Sequence, residues 1–187
     1  MQIDETTTRE QLAAIIVDKL LQHNIDAVLV GGSVVSIYTA NRYASDDLDF
    51  ISPAAHDRIV KAMAELSFNR TAGGMGKDFE HPKTRFTDEF PTGPISLGET
   101  GPVTPDGSIE VDGITVRMLS PTQSVMDRLL WFFYGNDRQC LDQAVWVAEA
   151  YPINVEQLLE WAQREPDQEK IQQKLQVFLK RIQRQKA

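Results

Sequence analysis

Hydrophobic residues recur at helical spacing near both ends of the chain and alternate as in strands through its middle. Thr8 and Gln11 form a capping box, which predicts that a first helix begins there and ends near residue 23. The short apolar run at 28–30 predicts a buried strand. Residues 34–42 have helical periodicity, and residues 46–51 alternate as in a strand with two different faces.

Residues 67–118 contain most of the glycines and prolines and several short alternating runs. They predict strands near 68–71, 79–81, 84–90, 95–97, 108–111 and 114–118. Asp112 and Gly113 form a two-residue hairpin signal between the last two strands. The glycine-rich segment 73–77 is predicted to be a flexible loop, and it lacks the spacing of a Walker loop.

The chain after Ser120 is predicted to be entirely helical. Ser120 and Gln123 form a second capping box, with Pro121 at the first helical position. Asn136 and Asn154 are predicted to open the next two helices. This change of pattern predicts a mixed α/β domain over residues 1–119 and a helical domain over residues 120–187.

Composition favours a soluble cytoplasmic protein. No stretch of the 187 residues approaches the roughly 20 apolar residues of a membrane span, and the start of the chain is too polar for a secretory signal. Cys140 is the only cysteine, so an internal disulfide is excluded. A net charge of −8 argues against a protein that coats nucleic acid by charge alone. The basic stretch from Lys170 onward is either a solvated helix face or a contact for RNA or an acidic partner.

A glycine turn follows the strand at 28–30. Gly31 and Gly32 allow a tight backbone turn, and Ser33 is expected to cap the following helix. The free N–H groups at such a helix start favour phosphate. This turn is therefore predicted to be a phosphate-binding site.

Two aspartates mark the strand at 46–51. Because side chains alternate along a strand, Asp47 and Asp49 lie on one face, and Leu48 lies on the other. Paired carboxylates repel each other unless a cation lies between them, and oxygen ligands suit Mg²⁺, or Mn²⁺ in its place. The other interpretation is that the two aspartates are surface charges on an edge strand.

These features together resemble the signature of the nucleotidyltransferase superfamily, whose fold is that of DNA polymerase beta. The resemblance rests on Gly31-Gly32-Ser33, on a helix with Tyr38 and Arg42, and on Asp47-Leu48-Asp49. The spacing from Arg42 to Asp49 is similar to that of small bacterial members from abortive-infection and toxin–antitoxin systems. The implied fold is α+β, with a mixed β-sheet flanked by helices and followed by a C-terminal helical bundle.

The resemblance also implies a third carboxylate on a neighbouring strand, which acts as a base. Glu89 is the first choice, because it faces away from Phe86 and Phe90 if these phenylalanines face the core. Asp88 is the second choice and Glu110 the third.

Three further residues are predicted to contact the nucleotide. Ser33 is expected to hold a phosphate oxygen, and Arg42 to reach a phosphate or brace the carboxylates; a surface salt bridge is the alternative for Arg42. Arg128 either contacts the triphosphate or pairs with Asp127 along its helix.

The implied function is Mg²⁺-dependent transfer of a nucleotidyl group from a nucleoside triphosphate to an acceptor hydroxyl on RNA, protein or a small molecule. An antitoxin protein is a further partner that the resemblance suggests. Two alternatives stay open: an inactive relative that binds nucleotide or a partner protein, and an adenylyltransferase that modifies small molecules such as antibiotics.

Overall fold

A computed structural model describes residues 2–71 and 77–184. These residues form seven α-helices, seven strands and one short 3-10 helix at Gly98–Thr100. The elements in chain order are α1 (Arg9–Gln22), β1 (Val28–Val30), α2 (Gly31–Tyr38), β2 (Asp47–Ile51), α3 (His56–Glu65), β3 (Asn69–Arg70), β4 (Asp78–Glu80), β5 (Thr87–Glu89), β6 (Gly107–Val111), β7 (Ile114–Met118), α4 (Pro121–Gly135), α5 (Arg138–Ala150), α6 (Val155–Ala162) and α7 (Gln168–Arg184).

All seven strands belong to one mixed sheet in the order β3-β4-β5-β2-β1-β7-β6. β2 lies in its centre, antiparallel to β1 and parallel to β5. The alternative of an edge strand for the two aspartates is therefore wrong. Helices α1 and α3 pack together, and α2 contacts β1, β2, α4 and α5. The structure thus has the α+β class and the helix-flanked mixed sheet that the sequence predicts.

Local sequence signals fix most element starts. The capping boxes at Thr8 and Ser120 both form, and the side chain of Asn154 caps α6. Asp112 and Gly113 have φ values of 50° and 82°, as a tight hairpin requires. The predicted strand at 95–97 is reduced to a single bridge between Ser96 and Pro102.

Two predicted helix starts are wrong. Helix α2 begins at Gly31 rather than at residue 34, and it ends at Tyr38 rather than at residue 42. Asn136 does not open α5; it ends α4 in the left-handed conformation, which Asn tolerates better than most residues. Asp137 caps α5 instead and accepts hydrogen bonds from the N–H groups of Gln139 and Cys140.

The predicted loop at 73–77 lies outside the described residues except for Lys77. The division into domains 1–119 and 120–187 stays a prediction. Within residues 2–71 and 77–184, no helix is both long enough and apolar enough to cross a membrane.

A buried carboxylate joins the helices of the C-terminal part to the segment before β6. Glu165 is 2% exposed; one oxygen accepts the Glu99 N–H at 2.9 Å, and the other accepts the Tyr134 hydroxyl at 2.6 Å. The Trp161 indole donates to the Leu97 carbonyl at 2.8 Å. These bonds hold the end of α4 and the turn at 98–100 in one position.

We expect Glu165→Ala to destabilise the fold by about 2 kcal/mol, because hydrogen bonds to a buried charged group are lost and their donors are left unpaired. Chemical denaturation measures the change. Glu160→Ala is the matched control: it removes an exposed acid from α6, and its effect should stay within about 0.5 kcal/mol. Equal losses in the two variants would contradict a stabilising role for Glu165.

Candidate active site

The glycine turn and β2 are in direct contact. Gly31 has φ +72°, and a Cβ added to it would lie 2.2 Å from an Asp49 carboxylate oxygen. Only glycine fits here, because both the backbone conformation and the missing side chain are needed. No side chain caps α2, so the backbone N–H groups of its first turn can serve as donors for an anion. The close approach of Gly31 to Asp49 places this turn next to the carboxylate.

Three carboxylates share the same face of the sheet. In the parallel pairing of β2 with β5, Asp47 lies opposite Thr87 and Asp49 lies opposite Glu89. Neighbouring strands are about 4.8 Å apart, so Asp49 and Glu89 are adjacent. The Thr87 hydroxyl donates a hydrogen bond to Asp47 Oδ1. The predicted set of Asp47, Asp49 and Glu89 is therefore brought together.

Burial and neighbouring negative charges raise the pKa values of two of these carboxylates. Burial, together with the nearby charges of Glu89 and Asp47, raises the pKa of Asp49 to about 6, and the Arg128 cation opposes the shift. Partial desolvation and the charges of Asp78 and Asp47 likewise raise the pKa of Glu89. A cation bound between these carboxylates would relieve both effects, and carboxylate oxygens are ligands that a hard ion such as Mg²⁺ prefers. Among the described residues, no group of three or more His, Cys, Asp or Glu side chains is arranged to hold a metal ion, so the protein offers at most two such ligands here.

The two other candidates for the third carboxylate lie elsewhere. Asp88 is fully buried on the opposite face of β5, in register with Leu48 and Phe79, and neither of its oxygens has a hydrogen-bond partner. This burial raises its pKa well above the ordinary value. Glu110 lies on the edge strand β6, which is three strands, or about 14 Å, from β2. The Thr115 hydroxyl donates a hydrogen bond to its carboxylate.

Ser33 and Arg42 are engaged in bonds within the protein. Ser33 is fully buried in the first turn of α2 and donates its hydroxyl to the Asp47 backbone carbonyl, so the predicted capping role is wrong. Arg42 pairs with Glu149 of α5 at 2.5 Å and stacks on the Trp146 ring at 4.8 Å. This is the salt-bridge alternative for Arg42. Contact of either residue with a phosphate stays a prediction.

Arg128 forms the ion pair with Asp127 that is one of the two alternatives from the sequence, and its contact with a triphosphate stays a prediction. It pairs with Asp127 at 2.5 Å and is mostly buried between α4 and α5, with Gln143 at 3.5 Å. It is also close enough to Asp49 for their charges to interact. Arg128 is thus a cation held in place by Asp127 and Gln143 near Asp49.

Cys140 has the properties of a packing residue. It is 6% exposed within α5, and burial raises the pKa of its thiol to about 11. A thiol in this state is a poor nucleophile at neutral pH. Sequence reasoning missed Thr87 as a partner of Asp47, although the alternation of β5 places Thr87 on the same face as Glu89.

Comparison with known proteins identifies the fold. No protein-family model matches the sequence, and no curated protein matches it either. A solved structure similar to this one is the crystal structure of an antigenic nucleotidyltransferase-like protein from Paracoccidioides brasiliensis. The match has a TM-score of 0.59 and covers 95% of this chain and 90% of that chain, at 12% sequence identity. The chain therefore has a nucleotidyltransferase-like fold, which confirms the fold that the sequence motifs imply.

We expect Gly31→Ala to destabilise the protein more than Gly113→Ala. Both glycines have positive φ, so both alanines carry a backbone cost of about 1–2 kcal/mol, but only the one at position 31 collides with Asp49. Chemical denaturation gives the two values. In an Asp49→Ala background the excess cost at position 31 should disappear, and an unchanged excess would show that the contact with Asp49 is not its source.

We expect Asp49→Asn to stabilise the protein at pH 7 by up to about 3 kcal/mol. Because the pKa of Asp49 is raised in the folded state to about 6, the folded state holds this proton more tightly than the unfolded state does. Wild-type stability should therefore fall as pH rises from about 4 to 6, and the variant should lack this component. Denaturation at several pH values, without divalent cations, measures it.

The control for this pH series is Asp46→Asn, which changes an exposed neighbour of Asp47 that pairs with Arg85 at 3.2 Å. It should keep the wild-type pH dependence. If Asp49→Asn also keeps the wild-type pH dependence, then burial and the neighbouring charges do not raise the pKa of Asp49.

Proposed function

We propose that this protein transfers a nucleotidyl group from a nucleoside triphosphate to an acceptor hydroxyl. One observation carries the proposal: Asp47, Asp49 and Glu89 share one face of the sheet next to a glycine turn that Asp49 almost touches. The nucleotidyltransferase-like fold supports it, because the same turn and strand carry the motifs that resemble that superfamily. The resemblance to toxin–antitoxin members, an antitoxin partner and a cytoplasmic location are finer parts of this proposal.

In this proposal Asp47 and Asp49 hold Mg²⁺, or Mn²⁺ in its place. The ion neutralises triphosphate charge and makes the attacking hydroxyl more acidic. The backbone N–H groups from Gly31 to Ser33 bind phosphate oxygens, and Arg128 supplies a permanent positive charge opposite them. Thr87 holds Asp47 in place through its hydrogen bond to Oδ1.

Glu89 has the properties of the base. Its pKa is raised by partial desolvation and neighbouring charges, which makes it a better proton acceptor than an ordinary carboxylate. The acceptor oxygen forms a bond to the α-phosphorus while its proton passes to a Glu89 oxygen. The bond from the α-phosphorus to the bridging oxygen breaks, and pyrophosphate leaves with that electron pair.

A cavity of about 620 Å³ lies near the residues that precede β2 and β5, where Ala44 and Phe86 are among its lining residues. None of the three carboxylates lines it, and its charged walls comprise, among the described residues, three cations and two carboxylates: Arg9, Lys83, Arg85, Glu5 and Glu10. The cavity therefore does not identify the acceptor. RNA, a protein side chain and a small molecule such as an antibiotic remain the acceptor classes to be separated by experiment.

The competing proposal is an inactive relative that binds nucleotide or a partner protein. It is favoured by the small number of protein ligands, since no group of three or more metal-binding side chains occurs among the described residues. It predicts binding without transfer.

Incubation with each α-labelled nucleoside triphosphate, Mg²⁺ and a cell extract tests transfer. We expect label in RNA, protein or a small-molecule fraction, and loss of transfer by at least about 100-fold in Asp47→Asn and Glu89→Gln. The fraction that carries the label identifies the acceptor class. Removal of divalent cations with a chelator should abolish transfer.

Asp46→Asn is again the matched control, because it neutralises the adjacent aspartate, which pairs with Arg85. Its transfer should equal that of the wild type. Triphosphate binding without transfer in the wild type would support the inactive relative, and absence of both binding and transfer would contradict the proposed function.

A further inference from the structure

Helix α4 carries an exposed tryptophan one turn beyond the buried cation Arg128. Leu129, Phe132 and Phe133 bury the opposite side of the helix in the core. The Arg128 side chain is 11% exposed, and Trp131 follows three residues later, on the next turn and about 60° further around the helix. Helix α4 packs against α2, whose first turn is the glycine turn, and Arg128 is close enough to Asp49 for their charges to interact, so Trp131 lies about one turn from the proposed phosphate site.

Trp131 is unusual among the aromatic residues of this chain. Its exposed fraction is 59%, the highest of the exposed large hydrophobic side chains in the described residues. Leaving such a large apolar ring in water forgoes the burial that normally stabilises tryptophan. The other two tryptophans have partners: Trp161 stacks on Phe133 at 5.9 Å, and the Arg42 guanidinium covers Trp146.

The helix that carries Trp131 is firmly held. The Lys174 ammonium donates to the carbonyls of Phe132 and Phe133 at 2.7 and 2.9 Å and so satisfies the last turns of α4. Tyr134 is fixed by Glu165, with the Lys170 ammonium 5.9 Å from its ring. The backbone beneath the Trp131 ring is therefore preorganised for a ligand, which lowers the entropy cost of binding.

We propose that Trp131 is a stacking platform for the base of the nucleoside triphosphate, a role that rests on the proposed function. If the phosphates lie between the glycine turn and Arg128, a sugar and base that extend past Arg128 reach Trp131, which lies about 4.5 Å further along the helix axis and is exposed. A planar base is the part of this ligand that an indole face binds. Every base has such a face, so the platform discriminates weakly between bases.

Binding measurements with two ligands test this role. In the presence of Mg²⁺, Trp131→Ala should weaken the binding of ATP and of GTP by roughly 5- to 150-fold, which is the usual effect of removing one aromatic stacking partner. Its affinity for inorganic triphosphate, which has no base, should stay within about two-fold of the wild type. Trp131→Phe retains a ring and should recover most of the nucleotide affinity. Isothermal titration calorimetry gives all these constants.

Leu21→Ala is the matched control, since it truncates another exposed large apolar residue (53% exposed) on α1. It should bind both ligands as the wild type does. If Trp131→Ala binds ATP, GTP and inorganic triphosphate as tightly as the wild type does, Trp131 is not a stacking platform, and the proposed function stays intact. Failure of the wild type to bind either ligand would overturn both proposals.

Discussion

The burial of Asp49 beside two other carboxylates is the constraint on which the site depends. Asp49 is held by a central strand, lies opposite Glu89, and is approached so closely by Gly31 that no side chain fits between them. Burial and two nearby negative charges raise its pKa to about 6, so the ionised form of Asp49 costs folding free energy at neutral pH. Such a cost is typical of functional groups. A cation bound at Asp49, as proposed above, would offset its negative charge.

The helices after β7 determine what faces these carboxylates. Helices α4 and α5 pack against α2, whose first turn is the glycine turn. This packing fixes Arg128 near Asp49 and, through Asp127 and Gln143, limits the directions that its guanidinium can take. Glu165 and Lys174 fix the far end of α4. One rigid helix therefore carries a buried cation next to the carboxylates and an exposed indole one turn further on.

The sequence predicts the fold better than it predicts the hydrogen bonds of the site. Period and capping signals locate α1, α4, α6 and the β6–β7 hairpin, because these depend on local chemistry. Alternation along β5 correctly turns Glu89 toward Asp49 and Asp88 away from it. The partners of Ser33 and Arg42 were not predictable, since Asp47 and Glu149 become their neighbours only through tertiary packing. Asn136 and Asp137 illustrate another limit: both residues favour helix ends, and only the backbone conformation decides which one ends α4 and which one opens α5.

Under the proposed function, Asp47 and Asp49 hold a divalent cation beside a triphosphate at the glycine turn. Anomalous diffraction from crystals soaked with Mn²⁺ and a non-hydrolysable nucleoside triphosphate would locate that ion. We expect an anomalous peak in contact with carboxylate oxygens of both aspartates, with phosphate oxygens on the N–H groups of residues 31–33. A peak that contacts neither aspartate, or a triphosphate bound away from the glycine turn, would contradict it.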